Sequence, residues 1–173
     1  MVIAQTERLT LRQAKKSDAK ALHTVFGNSE VMQFGEGPQG IEWVYSWIEQ
    51  AKRSYDFHGY GLWVIDLSGH TDAIGYCGLT WFPNINGQPE TEIGYRLSRN
   101  HWNQGLGTEA AMAVRNVAFS HFDLSRLIAL IAPDNTRSIR VAEKLGMAYD
   151  GAVMLEGYSH PDFVYACSRN VLV

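Results

Sequence analysis

Apolar and polar residues alternate through ERLTLRQA (7 to 14), a pattern that predicts an opening strand. Ser17 and Asp18 then offer an N-cap for a helix reaching about Phe26, and Gly-Pro punctuation at 35 to 40 breaks the chain. Trp43, Trp47, Ile48 and Ala51 share a face at helical spacing, which predicts a second helix over Ile41 to Tyr55. GYGLWVIDLS (60 to 68) and AIGYCGLTWF (73 to 82) read as adjacent strands joined by a short Gly-containing turn, and Pro83-Asn84 through Pro89 reads as a longer loop. TEIGYRLS (91 to 98) is a further strand. From Leu106 the apolar positions Leu106, Ala110, Ala113 and Val117 fall at helical spacing, giving a helix over 105 to 122. SRLIALIAPDN (125 to 135) has the continuous apolar run of a buried strand, and a helix from Thr136 to Leu145 ends at Gly146. Two more strand-like runs lie between 147 and 171. The order is strand, two helices, three strands, helix, strand, helix, two strands: a single α/β domain over 1 to 173 with a mixed sheet covered by helices.

The stretch HWNQGLGTEA (101 to 110) carries the most chemistry. Gly105 and Gly107 let the backbone turn sharply and approach a ligand closely at a helix start, where unpaired amides and the helix dipole favour a bound anion. Gly105 to Ala110 also fits GxGxxG/A, the dinucleotide fingerprint, but a Rossmann unit opens its fold with this turn, and here four strands precede it. A P-loop fits less well still, since GxxxxGK[ST] is absent and no lysine follows the glycines.

Composition narrows the function classes. At 173 residues and 46% hydrophobic, the chain can bury roughly 70% of its unfolded surface. A formal charge of −3 argues against general attraction to nucleic acid or an anionic membrane, although Lys and Arg cluster near 137 to 144. No signal peptide or membrane span is evident, so the expected location is cytoplasmic. Cys77 and Cys167 each sit singly in apolar strands with no CxxC partner, which points to small buried hydrophobes; no metal site is expected.

ERLTLR at the start, GYGLWVI and AIGYCGL in the middle, EIGYRLSRNHWNQGLGTEA, and APDNTRSIRVAEKLGM near the end together resemble the GNAT acyl-CoA N-acyltransferases, in particular their RimJ/RimL-like branch. The resemblance implies about seven strands with a splayed central pair, about four helices, and acetyl-CoA in the cleft between those strands. It further implies a diphosphate on the turn formed by Gln104, Gly105, Leu106, Gly107 and Thr108. The strand Ile93, Gly94, Tyr95, Arg96 and Leu97 would offer its edge to the amide-rich pantetheine arm. Asn135 matches the family's PDNxxS motif, with N-capping as its alternative role, and Arg137, Arg140 and Lys144 either face the adenosine phosphates or form a solvated basic face.

The implied reaction is direct acetyl transfer to a primary amine in a ternary complex, the acceptor being a protein N-terminus or a small molecule such as a polyamine, amino acid or antibiotic. Glu92 is the leading base, and amides near Ile93 and Gly94 could polarise the carbonyl. Many relatives place a tyrosine where this chain has Ala142, so Ser138 is the alternative proton donor to the thiolate, with Tyr149 and Tyr165 more expected as core aromatics. Glu156 and His160 could assist the base but read better as surface loop residues. Trp43, Trp47, Tyr60, Trp63, Trp81 and Phe82 are read mainly as core, with one or two expected to wall an acceptor pocket for an apolar or peptide-like amine. Family habit implies a homodimer. A non-catalytic acyl-CoA sensor of the same fold is the alternative that Ala142 keeps open.

Overall fold

Residues 1–169 of the chain are described by the computed structural model. Eight strands form one sheet in the order β1-β2-β3-β4-β5-β6-β8-β7. Their ranges are β1 Val2–Gln5, β2 Leu9–Arg12, β3 Leu62–Leu67, β4 Ala73–Ile85, β5 Gln88–Leu97, β6 Arg126–Ile131, β7 Ala148–Val153 and β8 Asp162–Ser168. The helices are α1 Ala19–Phe26, α2 Ile41–His58, α3 Leu106–Ser120 and α4 Thr136–Lys144. The predicted elements are all present, with β1, a four-residue edge strand paired antiparallel to β2, and two single-turn 3-10 helices, Lys16–Asp18 and Arg99–His101, in addition.

The predicted loop at 83 to 89 is instead the end of a long hairpin. Asn86 and Gly87 have φ of 51° and 88°, the left-handed geometry a two-residue turn needs, and Ile85 pairs directly with Gln88. Pro83 and Asn84 fall in a register shift between Phe82 and Ile85, a bulge where a residue without a backbone N–H does no harm to the ladder.

All neighbouring strands are antiparallel except β5 and β6, which are parallel and register at a single pair, Glu92 with Ile128. Beyond that pair the strands separate, and the β5 edge from Ile93 to Leu97 has no ladder partner on the β6 side. This interruption at the centre of the sheet positions the site.

Cross-strand partners share a face, so the register sorts the side chains. Cys77, Leu79, Ile93, Leu97, Leu127, Ala129 and Ile131 face α3 and α4 and form the larger core with Leu106, Ala110, Val114 and Ala142. The opposite face carries Val64 and Tyr76 against Phe26, Val44, Trp47 and Ile48 of α1 and α2, and further along it Ile128 and Val164 pack with Ile85. Both cysteines are buried and free, as expected for small core hydrophobes, and burial pushes both thiols up.

A buried ion network ties the α1 end of the molecule to the sheet. The Arg12 guanidinium donates to both oxygens of Asp18 at 2.8 Å, and to Asp66. Asp18 also accepts from the Lys15 amide at 2.7 Å, so β2, β3 and the turn leading into α1 share one fully used set of donors and acceptors. No helix among the described residues is long and apolar enough to cross a membrane.

Candidate active site

Two adjoining cavities, of about 660 and 420 Å³, run through the gap between β5 and β6 and over the start of α3 and α4. Phe34, Tyr95, Arg96, Asn135, Ser138 and Val141 line both, so the two form one continuous cleft. Because the cleft passes through the splay, it opens on both faces of the sheet: the α3/α4 face through Ile93, Tyr95 and Ala129, and the α1/α2 face through Glu92, Gly94 and Arg96.

At the α3 end, Gly105 has φ of 77° and no side chain caps the helix, leaving the first-turn amides to an incoming group. A Cβ on Gly107 would stand 2.8 Å from the Tyr95 ring, so only glycine fits between the turn and β5. The turn is held from an unexpected direction. Arg8 donates from Nη1 to the Gln104 carbonyl at 2.9 Å and from Nε to Glu109 at 2.7 Å, while Thr6 donates to the same carboxylate at 2.6 Å. Arg8 was not singled out in the sequence, because the contact spans 96 residues and no local pattern marks it. The uncapped amides, the bare glycine position and the nearby cation fit a diphosphate.

Basic residues Arg137, Arg140 and Lys144 line the same end, with the Arg137 guanidinium over Trp102 at 4.9 Å. Asn135 caps α4, accepting from the Ser138 amide at 3.2 Å, and lines the cleft as well. Every expected coenzyme residue therefore reaches the cleft except Gln104, whose side chain turns back to the Asn100 carbonyl at 2.9 Å.

Glu92 sits at the apex of the splay, half-buried, where the last β5/β6 pair forms. Burial pushes its carboxyl up to about 7, against smaller opposing effects of the Leu130 amide and Arg96, and nearby Asp162 adds to the rise. Ser138 lies beside the Tyr95 hydroxyl, and burial pushes that phenol up so that it stays protonated at neutral pH. Ala142 lines the cleft at 2% exposure within the larger core. Tyr149 and Tyr165 do not line it, and Tyr149, expected in the core, is 57% exposed on outer strand β7.

The six aromatics read mainly as core divide that way: Trp47, Tyr60 and Trp63 are buried, Trp43 packs against the α1/α2 core, Trp81 is exposed, and Phe82 lines the cleft. Phe34, Tyr76 and Tyr158 complete the wall with Phe82, and its charged lining is Glu92, Arg96, Glu156 and Asp162. Asp162 went unnoticed in the sequence, where an Asp ahead of a strand resembles any loop residue. Burial raises its carboxyl, which His160 offsets from 3.4 Å. Among the described residues no group of three or more His, Cys, Asp and Glu could hold a metal ion.

Comparison with known proteins agrees with this architecture. Residues 8–148 match the acetyltransferase (GNAT) domain family. The chain is 32% identical over 149 residues to the YkkB protein of Bacillus subtilis, covering 86% of each. Its fold superposes on an acetyltransferase from Agrobacterium tumefaciens with a TM-score of 0.82 and 29% identity, covering 98% of this chain and 95% of that one. A TM-score of 0.79, at 21% identity and coverage of 97% and 98%, relates it in fold to RimL, a ribosomal L7/L12 alpha-N-protein acetyltransferase in complex with coenzyme A. With a domain match over most of its length and a sheet that parts at a single central pair, this chain belongs to the GNAT acetyltransferase family.

Proposed function

We propose that the protein transfers the acetyl group of acetyl-CoA to a primary amine by direct attack in a ternary complex. The observation that carries this reading is the cleft through the splay, with an uncapped glycine turn at one end and a carboxyl of raised pKa at its apex. Acetyl-CoA supplies the activated acyl group. Amides of Leu106, Gly107 and Thr108 would hold its diphosphate, Arg140 its adenosine phosphates, and the free β5 edge from Ile93 to Leu97 its pantetheine arm.

The chemistry of the residues follows from their surroundings. An amine must lose a proton as its nitrogen bonds to the acyl carbon, and Glu92, poised near neutrality, accepts it directly or through one water. The Ile93 amide, on the open edge of β5, faces the carbonyl oxygen as charge develops on it, while the Gly94 amide is turned to Gly78 in the β4 ladder. As the carbon–sulfur bond breaks, Ser138 donates a hydrogen bond to the departing thiolate and relays to it a proton from water, remaining neutral itself, with the protonated Tyr95 hydroxyl beside it. A covalent cysteine route is disfavoured, because burial holds both thiols in the unreactive form.

The test is release of coenzyme A thiol from acetyl-CoA over a panel of amines and N-terminal peptides. Acceptor-dependent release supports the enzyme. Saturable binding without turnover on any acceptor would instead favour a coenzyme-binding sensor, the reading to which Ala142 points.

A further inference from the structure

Of the four charged side chains that line the acceptor end of the cleft, Glu92, Arg96, Glu156 and Asp162, none forms an ion pair with another among the described residues, and the Glu92 carboxyl meets the Leu130 amide across the splay. Glu92, Gly94 and Arg96 project to the same face of β5, and the register continues that face through Leu130 to Val164 and Asp162 on β8. Asp162 is 7% exposed, lines the cleft, and its Oδ1 is buried with no hydrogen-bond donor among the described residues. Its ion-pair neighbour among the described residues, His160 at 3.4 Å, is a partner only when protonated, and the nearby Glu92 carboxyl is of like charge. Arg96 lines the cleft and forms no ion pair among the described residues; its Nη1 donates to the Tyr76 hydroxyl at 3.3 Å and its Nη2 fills the space that a Cβ on Gly35 would need.

Opposite charges this near one another would ordinarily pair, and the strand keeps them apart. Four residues of strand separate the Glu92 and Arg96 Cα atoms by about 13 Å. Gly94 between them leaves a bare floor, over which the Glu92 carboxylate leans: its carboxyl carbon and both oxygens each stand 3.9 Å from where a Gly94 Cβ would be. The result is a short trough with a cation at one end, a carboxylate over the middle and a second, unpartnered carboxylate across the splay. A polyamine brings nothing for the guanidinium, and a protein N-terminus has a neutral amide where an anion would sit.

We propose that the acceptor is a compact zwitterion, an amine bearing a carboxylate or similar anion close to its nitrogen as in an α-amino acid, with Arg96 holding the anion and Glu92 and Asp162 facing the nitrogen. This rests on the acetyl-transfer reading above and names its substrate class. Phe34, Tyr76 and Phe82 line the trough.

The test compares thiol release from acetyl-CoA with the common L-amino acids, their primary amides, spermidine and a tetrapeptide, each at equal neutral-amine concentration. The wild-type protein is expected to favour at least one free acid over its amide by about tenfold or more in kcat/KM, the scale of one charge-assisted contact. Arg96→Gln should collapse that preference and Arg96→Lys restore part of it. Asp162→Asn should raise KM for the acid without altering coenzyme A affinity. Equal or better use of amides, spermidine or the peptide by the wild-type protein would overturn the proposal, and so would an Arg96→Gln protein that keeps the preference but loses coenzyme affinity. Coenzyme binding with no thiol release on any amine would remove the acetyl-transfer reading itself, an outcome distinct from transfer to the wrong class of amine.

Discussion

Glu92 is where burial and chemistry meet. A carboxyl whose folded pKa is raised to about 7 ionises only near neutrality, so kcat/KM, corrected for the neutral amine fraction, should rise with pH through about 7. Glu92→Gln should lose that limb and fall about a hundredfold or more above pH 7, measured as thiol release. The same shift acts on stability with a definite sign. Both states are protonated below the ordinary carboxyl range, and above pH 7 the folded state carries a desolvated charge that the unfolded chain solvates freely. Glu92 therefore costs stability as pH rises through the interval from about 4.5 to about 7. Glu92→Gln should be more stable than the wild type by about 1–3 kcal/mol at pH 8, and equal to it at pH 4, by urea unfolding. At this scale the sequence was half legible. Glu92, Ser138 and Asn135 were marked by short motifs, whereas Arg8 and Asp162 reach the site from the far ends of the chain, where no spacing rule connects them to it.

The element that matters most is α3 with the turn before it. Gly107→Val should push against the Tyr95 ring and weaken coenzyme A binding by about tenfold or more in calorimetry, with little change in the fold. Arg8→Ala, which frees the Gln104 carbonyl and Glu109, should weaken it by a smaller factor, about threefold to tenfold, through a looser turn. The periodicities of α2 and α3 were legible because each buries a regular stripe, whereas α1 was read from its Ser17-Asp18 start and α4, which buries only Ala142, from its stop at Gly146. β1 was not, since four half-exposed residues at a sheet edge carry too little alternation to read. The Asn86-Gly87 hairpin was written in the sequence but masked by Pro83 and Pro89, whose usual meaning as strand breakers is cancelled by the bulge at Pro83.

For the whole molecule, the decisive property is a sheet that comes apart at its centre and so opens a cleft to both faces. Nothing in the apolar run of β6 or the pattern of β5 announces that they separate after one pair, because a splay is a missing contact between segments 30 and more residues apart. The Arg12, Asp18 and Asp66 network holds the α1/α2 half of the acceptor face to the sheet, and Arg12→Met should cost about 3–5 kcal/mol in urea unfolding by leaving two carboxylates buried without a cation. Both faces of the splay converge on one arrangement of the coenzyme, and a crystal structure of the protein grown with coenzyme A tests it most directly. The diphosphate should lie within hydrogen-bond reach of the Leu106, Gly107 and Thr108 amides, with the pantetheine along Ile93 to Leu97 and the sulfur near Ser138 and Glu92. Coenzyme density anywhere else on the surface, or a diphosphate that touches none of those amides, would contradict the account.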